Sequence, residues 1–546
     1  VQKKILVPSL LILAANILGL SAAASYVATA LGRPPTPPLF TAFDFAIFSP
    51  ADFLIWFWRW YSAAPAVFDT GLLIYLVGLF AGVGLAVVYR TSLRRSTAFG
   101  SARWASRKDY ADLIQENVSG VVLGRKGGHI LAHAGPEHIA LIAPTRSGKG
   151  VGVIIPTLTV WRGSAIVNDL KGENYDVTAA HREKRLKQKI YRFAPAEMPG
   201  QNPHLCRLNP LAAVRPGENS VKDAQMVADI LVDPHGTGLE DHWQKTSHAL
   251  LTGVILHLKA TSDGQATLAG LASWLSRPDI WATIQNEMLA SPHPVAAQAA
   301  AEILAKDERE RSGVLSTAAS YLSLYRDPIV AANTSANDLD FADLLHAPQP
   351  ATLYIIIPPA HLSRLRPLLR LIVNIALRRL TETPQKPRRQ LLFLLDEFPA
   401  LGKLEFFQSA LGFTAGYGVK TLIVAQSMNQ IYHVYGQRSS VLDNCHVQVY
   451  YAPNPNDAET AKHISEALGR QTIRVNSQTY SGFGPLARQS LSESETGRPL
   501  LDPAEVRALD REKEIILIAN RPPIMAEKIR YFDDPFFRKF YQKRRK

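Results

Sequence analysis

The plainest chemistry in the sequence lies in Ala143-Pro144-Thr145-Arg146-Ser147-Gly148-Lys149-Gly150, followed by Val151. The stretch succeeds an apolar run, Ile139-Ala140-Leu141-Ile142, and precedes Val151 to Thr159, which reads as the start of a helix. A strand, a tight loop of small residues, a lysine and a helix N-terminus together make a phosphate cradle. Backbone N–H groups point at the phosphate oxygens, and the helix dipole adds to their field. Lys149 is placed to reach the β- and γ-phosphates of a nucleotide. Two positions depart from the general pattern G-x-x-x-x-G-K-[ST]: Ala143 replaces the first glycine, and Gly150 replaces the residue whose hydroxyl normally holds Mg2+. Water, or Thr145 or Ser147 in a rearranged loop, then has to complete the metal shell. The motif therefore speaks for nucleotide binding more directly than for hydrolysis.

A second set of groups sits at the ends of other apolar runs. Leu391-Leu392-Phe393-Leu394-Leu395 leads into Asp396-Glu397. Acids at the C-terminal end of a parallel strand lie at the crevice where ligands of open α/β sheets bind. There Asp396 would position Mg2+ through water, and Glu397 would polarise the attacking water as general base. Leu422-Ile423-Val424-Ala425 delivers Gln426 to the same edge, where an amide can hydrogen-bond the γ-phosphate or the lytic water. Ala165-Ile166-Val167 leads to Asn168-Asp169, so Asp169, Lys171 and Glu173 support the site or a subunit interface, unless they form a solvated turn. A strand-end acid taken alone reads equally as a helix N-cap. An arginine finger from a neighbouring subunit would complete such a site. No arginine lies between Glu397 and Gln426; Arg364, Arg366, Arg370 and Arg438 are the candidates, with surface charge the alternative for each.

The elements that must hold these residues read as an α/β fold. Short apolar runs end at turn residues: His138 to Ile142, Ala165 to Val167, Leu353 to Ile357, Leu391 to Leu395, Leu422 to Ala425, Val447 to Tyr450 and Ile515 to Ile518. Continuous apolar character is what strands buried on both faces of a parallel sheet need. Between Asn219 and Tyr325 the texture changes to Ala-, Leu-, Gln- and Lys-rich segments without β-alternation, which predicts an inserted all-helical module. Asn476 to Pro499, rich in Ser, Gly and Gln, reads as a mobile loop.

Of 546 residues, 47% are hydrophobic and 20% charged, as in a globular chain rather than a disordered one. Lys plus Arg is 60 against 47 for Asp plus Glu, and the net charge of +13 points to polyanions: nucleic acid, anionic lipid or nucleotide phosphate. Positive charge clusters from Arg90 to Lys108, from Arg182 to Arg192 and from Arg538 to Lys546. The 2 cysteines exclude a disulfide scaffold and a Cys-rich zinc site, and fit a reducing compartment.

Ile5 to Leu31 and Thr70 to Tyr89 carry no charge, and each matches the roughly 20 apolar residues that cross a bilayer. Lys3 and Lys4 precede the first span, and arginines from Arg90 follow the second. The positive-inside rule puts both termini in the cytoplasm and residues 32–69 outside, with Trp56, Trp58, Trp60 and Tyr61 at the interface. The rival reading, a signal peptide cleaved near Ala22-Ala23-Ala24, asks for a much shorter apolar core. The arginine cluster sets topology and is placed to touch anionic lipid.

The loop Ala143 to Gly152, Asp169-Leu170-Lys171-Gly172-Glu173-Asn174, and Leu395 to Gly402 together resemble the TraG-type coupling proteins (TraG/VirD family) of conjugation and type IV secretion. Ala425-Gln426-Ser427, Gly497-Arg498-Pro499-Leu500-Leu501 and Lys528-Ile529-Arg530-Tyr531 extend the resemblance, and Gly150 looks normal within it. The resemblance implies a RecA-like P-loop ATPase, hexameric, using ATP and Mg2+, in the bacterial inner membrane beside the inner-membrane components of a type IV secretion channel. It implies that a relaxase bound to single-stranded DNA is the substrate, received by the inserted helical module. The expected division is a two-span anchor at residues 1–95, a RecA-like domain at 96–214 plus 326–546, and the all-α insertion at 215–325. The rivals are a chromosome-segregating double-stranded DNA translocase, a substrate receptor that binds nucleotide with little hydrolysis, and a solute transporter. The last would need more spans and an LSGGQ-like signature where the chain has Pro384 to Gln390.

Overall fold

A computed structural model describes residues 2–32, 36–42, 45–92, 97–234, 236, 238–263, 265–382, 386–481 and 488–541. Residues 542–546 of the basic tail, and Arg94 and Arg95 of the juxtamembrane cluster, lie outside the described residues. The chain forms two compact units, Val1–Phe99 with Thr472–Thr496, and Gly100–Gln471 with Gly497–Lys546.

In the first unit, helices Gln2–Leu31 and Pro65–Ser92 contain apolar stretches Val7–Leu31 and Pro65–Tyr89, 25 residues each. At about 1.5 Å per residue, either is long enough for the roughly 30 Å of a hydrocarbon core. They approach closely where small residues meet: a Cβ on Gly82 would lie 2.1 Å from the Ala15 Cβ, and one on Gly78 3.3 Å from the Gly19 Cα. A helix between them, Pro50–Trp60, opens with a capping box in which the Ser49 N–H donates to Asp52 Oδ2 at 3.0 Å. It divides the expected interfacial aromatics. Trp56 is buried edge-on against Phe48, whereas Trp58 is 90% exposed. The segment expected as a mobile loop instead supplies strands, Arg470–Ser481 pairing with Arg488–Pro499. The Ser-, Gly- and Gln-rich sequence of this stretch lacks the apolar alternation by which strands are recognised.

The second unit is built on an 11-stranded sheet. In spatial order Val447–Tyr451, Ile139–Ile142, Val419–Ala425, Leu391–Leu395, Ser164–Asp169, Ala351–Ile356 and Lys189–Phe193 run parallel. Alternate residues of each central strand enter opposite apolar layers: Phe393 and Leu395 join one cluster, Leu392 and Leu394 the other. Burial on both faces is why those runs are apolar throughout. Ile515 to Ile518 was expected to join the parallel set; Lys513–Ile518 pairs antiparallel with Val447–Tyr451. Ile524–Glu527, Val121–Lys126 and His129–His133 continue that antiparallel flank.

From Ser220 to Tyr321 the described residues form helices, among them Ser220–Val232, His242–Thr261, Pro294–Leu304 and Glu308–Tyr321. Asp241 caps the second, accepting from the Gln244 N–H at 2.7 Å, and Asp307 caps the last through the Arg309 and Glu310 N–H groups. Arg182, counted above among charges open to polyanions, is fully buried. Its guanidinium donates to Thr352 Oγ1 at 2.8 Å, to the Trp161 carbonyl at 3.1 Å and to Gln188 Oε1 at 2.8 Å, so it ties helix to sheet. Arg192 likewise pairs with Glu197.

Candidate functional site: a phosphate-loop cleft

Register brings the predicted groups to one edge. Ala425 pairs with Ile142, Ile423 with Leu395, and Asn168 with Leu395. The residues following each strand, the loop from Ala143, Gln426, and Asp396 with Glu397, therefore emerge side by side at the carboxyl ends of parallel strands. They line a cleft of about 860 Å³ that also receives Asp169, Lys171 and Glu173.

The loop itself is tightly turned. Arg146 and Gly148 have φ of 59° and 94°, in the left-handed region, where the arginine is strained and the glycine is not. Ala143 and Pro144 are buried, while Thr145 and Arg146 are exposed. The Ser147 hydroxyl donates to the Pro144 carbonyl at 2.6 Å, so it is engaged within the loop rather than presented to a metal. Behind the loop the helix starts wide, as a π-turn over Gly150–Ile154 in which the Ile155 N–H reaches the Gly150 carbonyl. The Val151 carbonyl, which the Ile155 N–H would use in an α-helical turn, accepts instead from the Tyr531 N–H at 3.3 Å, and Pro156 has no N–H to give the Gly152 carbonyl. A Cβ on Gly150 would meet nothing within 4 Å, so the missing hydroxyl is a matter of residue choice and not of space.

Lys149 Nζ pairs with Glu397 Oε1 and stands 3.3 Å from Asp396 Oδ1. Gln426 Nε2 donates to the other Glu397 oxygen at 2.9 Å. Glu397 is held with φ 57°, a left-handed conformation that turns its carboxylate back over the strand end. Burial raises the Asp396 pKa above the ordinary carboxylate value, with Lys149 pulling the other way. Asn168 Nδ2 fixes this turn by donating to the Asp396 carbonyl at 2.9 Å, a role its side chain did not announce in the sequence.

Asp169 is no solvated turn. It is 1% exposed and caps helix Glu173–Lys184, accepting from the Tyr175 N–H at 2.9 Å and from Asn174 Nδ2 at 3.3 Å. Burial, with a smaller contribution from the Asp396 charge, pushes its pKa up to about 6. Lys171 and Glu173 are exposed at the cleft. Among the arginine candidates, Arg370 is 4% exposed and donates to the Lys403 carbonyl at 3.0 Å; it braces the turn after the acidic strand and cannot extend to a neighbouring subunit. Arg364 pairs with Asp327, Arg366 is half-buried, and Arg438 is exposed.

The donor set fits Mg2+ carried in with a nucleotide. Asp396 Oδ1 is buried and faces Lys149 Nζ at 3.3 Å, so once a nucleotide draws that lysine away it is an acceptor for metal-bound water. No group of three or more His, Cys, Asp or Glu among the described residues forms a cage for a metal alone.

Residues 96–546 match the family described as type IV secretory system conjugative DNA transfer. The chain is 38% identical to the conjugal transfer protein TraG of Escherichia coli, over 90% of this chain and 86% of that protein. It is 30% identical to the protein VirD4 of Agrobacterium fabrum, over 84% of this chain and 71% of that one. The plasmid coupling protein TrwB in complex with ADP and Mg2+ shares the fold with a TM-score of 0.59 at 19% identity, covering 79% of this chain and 94% of TrwB. That likeness makes the second unit a RecA-like P-loop fold, preceded by a two-helix membrane anchor. By its matched length and these relatives, the chain belongs to the conjugative DNA transfer family of type IV secretion, as a coupling protein of the TraG/VirD4 type.

Proposed function

We propose that the chain is an inner-membrane ATPase that recruits a relaxase bound to single-stranded DNA and drives it into a type IV secretion channel. The reading rests on one observation above the rest: Lys149, Asp396, Glu397 and Gln426 converge at one sheet edge, with Glu397 gripped from both sides.

In this mechanism the arriving triphosphate takes Lys149 from Glu397, because phosphate oxygens offer the ammonium a denser negative charge. Freed on one side and still held by Gln426, the Glu397 carboxylate orients a water at the γ-phosphate and accepts its proton. Asp396 would hold Mg2+ through water, and the metal would neutralise charge on the β- and γ-phosphates. Gln426 moves with Glu397 and so carries nucleotide state to helix Met428–Tyr435, to which it is tied by the Gln430 side chain at 3.0 Å. An arginine from a neighbouring copy in a hexamer, Arg364, Arg366 or Arg438, completes the charge balance.

Both termini lie in the cytoplasm, basic juxtamembrane residues contact anionic lipid, and the helical insertion at 215–325 receives the substrate beside the channel's inner-membrane components. The test is phosphate release by the full chain in lipid nanodiscs, with and without single-stranded DNA. Release that Lys149→Ala abolishes supports the reading; release equal in that variant removes it. Gly150 favours one second reading, a receptor that binds nucleotide and hydrolyses it slowly. Tight nucleotide binding without DNA-stimulated turnover would establish that instead.

A further inference from the structure

Lys528-Ile529-Arg530-Tyr531 lies far from the phosphate loop in sequence but against it in space. Lys528 Nζ stands 3.4 Å from the carbonyl oxygen of Ser147, a residue of the loop, and 3.8 Å from the centre of the Tyr451 ring. The Tyr531 N–H donates to the Val151 carbonyl at 3.3 Å. The segment sits down on the first helical turn because Gly152 has no side chain. A Cβ there would lie 2.5 Å from the Tyr451 hydroxyl and 3.2 Å from the Ile529 carbonyl.

An acidic group also interacts with Lys528. Glu514 is completely buried, and neither carboxyl oxygen has a hydrogen-bond partner among the described residues. It stands opposite Tyr451 in the strand register, under Gly124, where a Cβ would fall 1.8 Å from its Oε1. Burial raises the Glu514 pKa well above the ordinary carboxylate value and lowers that of Lys528, with each group's charge opposing the shift of the other. A buried acid is costly, and the groups that face it here are the Tyr451 hydroxyl and Lys528.

That place matters because of peptide geometry. The Ser147 C=O and the Gly148 N–H belong to one planar trans peptide and point in opposite directions. A cation fastened to the carbonyl on the outside of the loop turns the N–H inward. The Gly148 N–H has no protein acceptor among the described residues, and Gly148 lines the cleft.

We propose that Lys528 is a positioning residue of the phosphate loop, held over Tyr451 and Glu514 so that it fixes the Ser147–Gly148 peptide with its N–H toward the bound phosphates. It does not touch the nucleotide; it acts through the loop. The inference rests on the nucleotide-binding reading of the site.

The experiment compares the full chain with Lys528→Met, Lys528→Arg and, as a control, Lys149→Ala, by titration with a fluorescent ATP analogue and by phosphate release across ATP concentrations. Lys528→Met is expected to raise both Kd and KM about tenfold, as loss of a charge-assisted hydrogen bond does, with kcat changed less than about twofold. Lys528→Arg, which keeps the charge, is expected to restore affinity to within about threefold. Wild-type affinity in Lys528→Met overturns the inference, as does a lowered melting temperature with unchanged Kd, or an arginine variant no better than methionine. Should Lys528→Met not fold, Lys528→Gln is read by the same criteria. A wild-type chain that binds no nucleotide would instead sink the proposed function. Loss of binding in Lys149→Ala with full binding in Lys528→Met sinks this inference alone.

Discussion

Replacing Glu397 by glutamine should tighten nucleotide binding while stopping turnover. Without nucleotide, Lys149 is committed to Glu397 and has Asp396 at 3.3 Å, with side-chain exposures of 16% for the lysine and 21% for Glu397. Nucleotide must displace that contact. A hydrogen bond between charged groups is worth about 1.5–3 kcal/mol net, and glutamine keeps some of it as a neutral contact. Releasing about 1 kcal/mol of competition corresponds to roughly fivefold tighter binding. Removing a negative charge beside the phosphates acts in the same direction. Hydrolysis moves the other way, because an amide accepts no proton, and loss of a general base lowers turnover by about 10²–10⁴-fold. A fluorescent ATP analogue reads Kd, and coupled phosphate release reads kcat on the same preparation. Affinity below wild type in Glu397→Gln would show that the ion pair is not the competitor. A kcat within about threefold of wild type would show that Glu397 is not the base.

Gly150→Ser should fold normally, since its side chain enters open space, and should lower the Mg2+ concentration required for nucleotide binding; an unchanged Mg2+ dependence refutes this. Gly152→Ala should destabilise by about 1–3 kcal/mol, because its Cβ would stand 2.5 Å from the Tyr451 hydroxyl, and thermal unfolding reads the loss. Burial pushes the Lys420 pKa down to about 7 from 10.5, its ammonium held by the His133 and Gly135 carbonyls at 2.8 Å. Above about pH 7 the unfolded chain therefore holds the extra proton, so stability from this site rises with pH and is lost as pH falls back toward 7. Wild type should gain on Lys420→Met between about pH 7.5 and 9, by at most about 1.4 kcal/mol per pH unit, and equal slopes would contradict the assignment. Single-stranded DNA binding should weaken steeply between low and moderate salt, and insensitivity to salt would remove the polyanion reading of the charge of +13.

The groups that meet at the cleft were legible because each ends a strand buried on both faces. Leu391–Leu395 is apolar throughout, so the acids behind it stand out, and the same holds for Gln426 behind Val419–Ala425. What stayed hidden was whatever depends on contacts between distant segments. The antiparallel direction of Lys513–Ile518 is set by partners on either side, which a run of Ile and Leu does not encode. Arg182 lies in a basic stretch, and only its partners, carbonyls of Trp161 and Gly163 and the side chains of Thr352 and Gln188, mark it as interior. Asp169 was seen as a strand-end acid, but whether it faces solvent or caps Glu173–Lys184 depends on how tightly Gly172, at φ 76°, turns the chain.

We propose that conjugative transfer runs on nucleotide chemistry at this cleft. The most direct test is transfer frequency in a donor whose sole coupling protein is this chain, compared with Lys149→Ala and Glu397→Gln at equal membrane abundance. Transfer is expected to fall to background in both variants while the proteins remain in the membrane fraction. Transfer at the wild-type frequency in either variant would contradict the account.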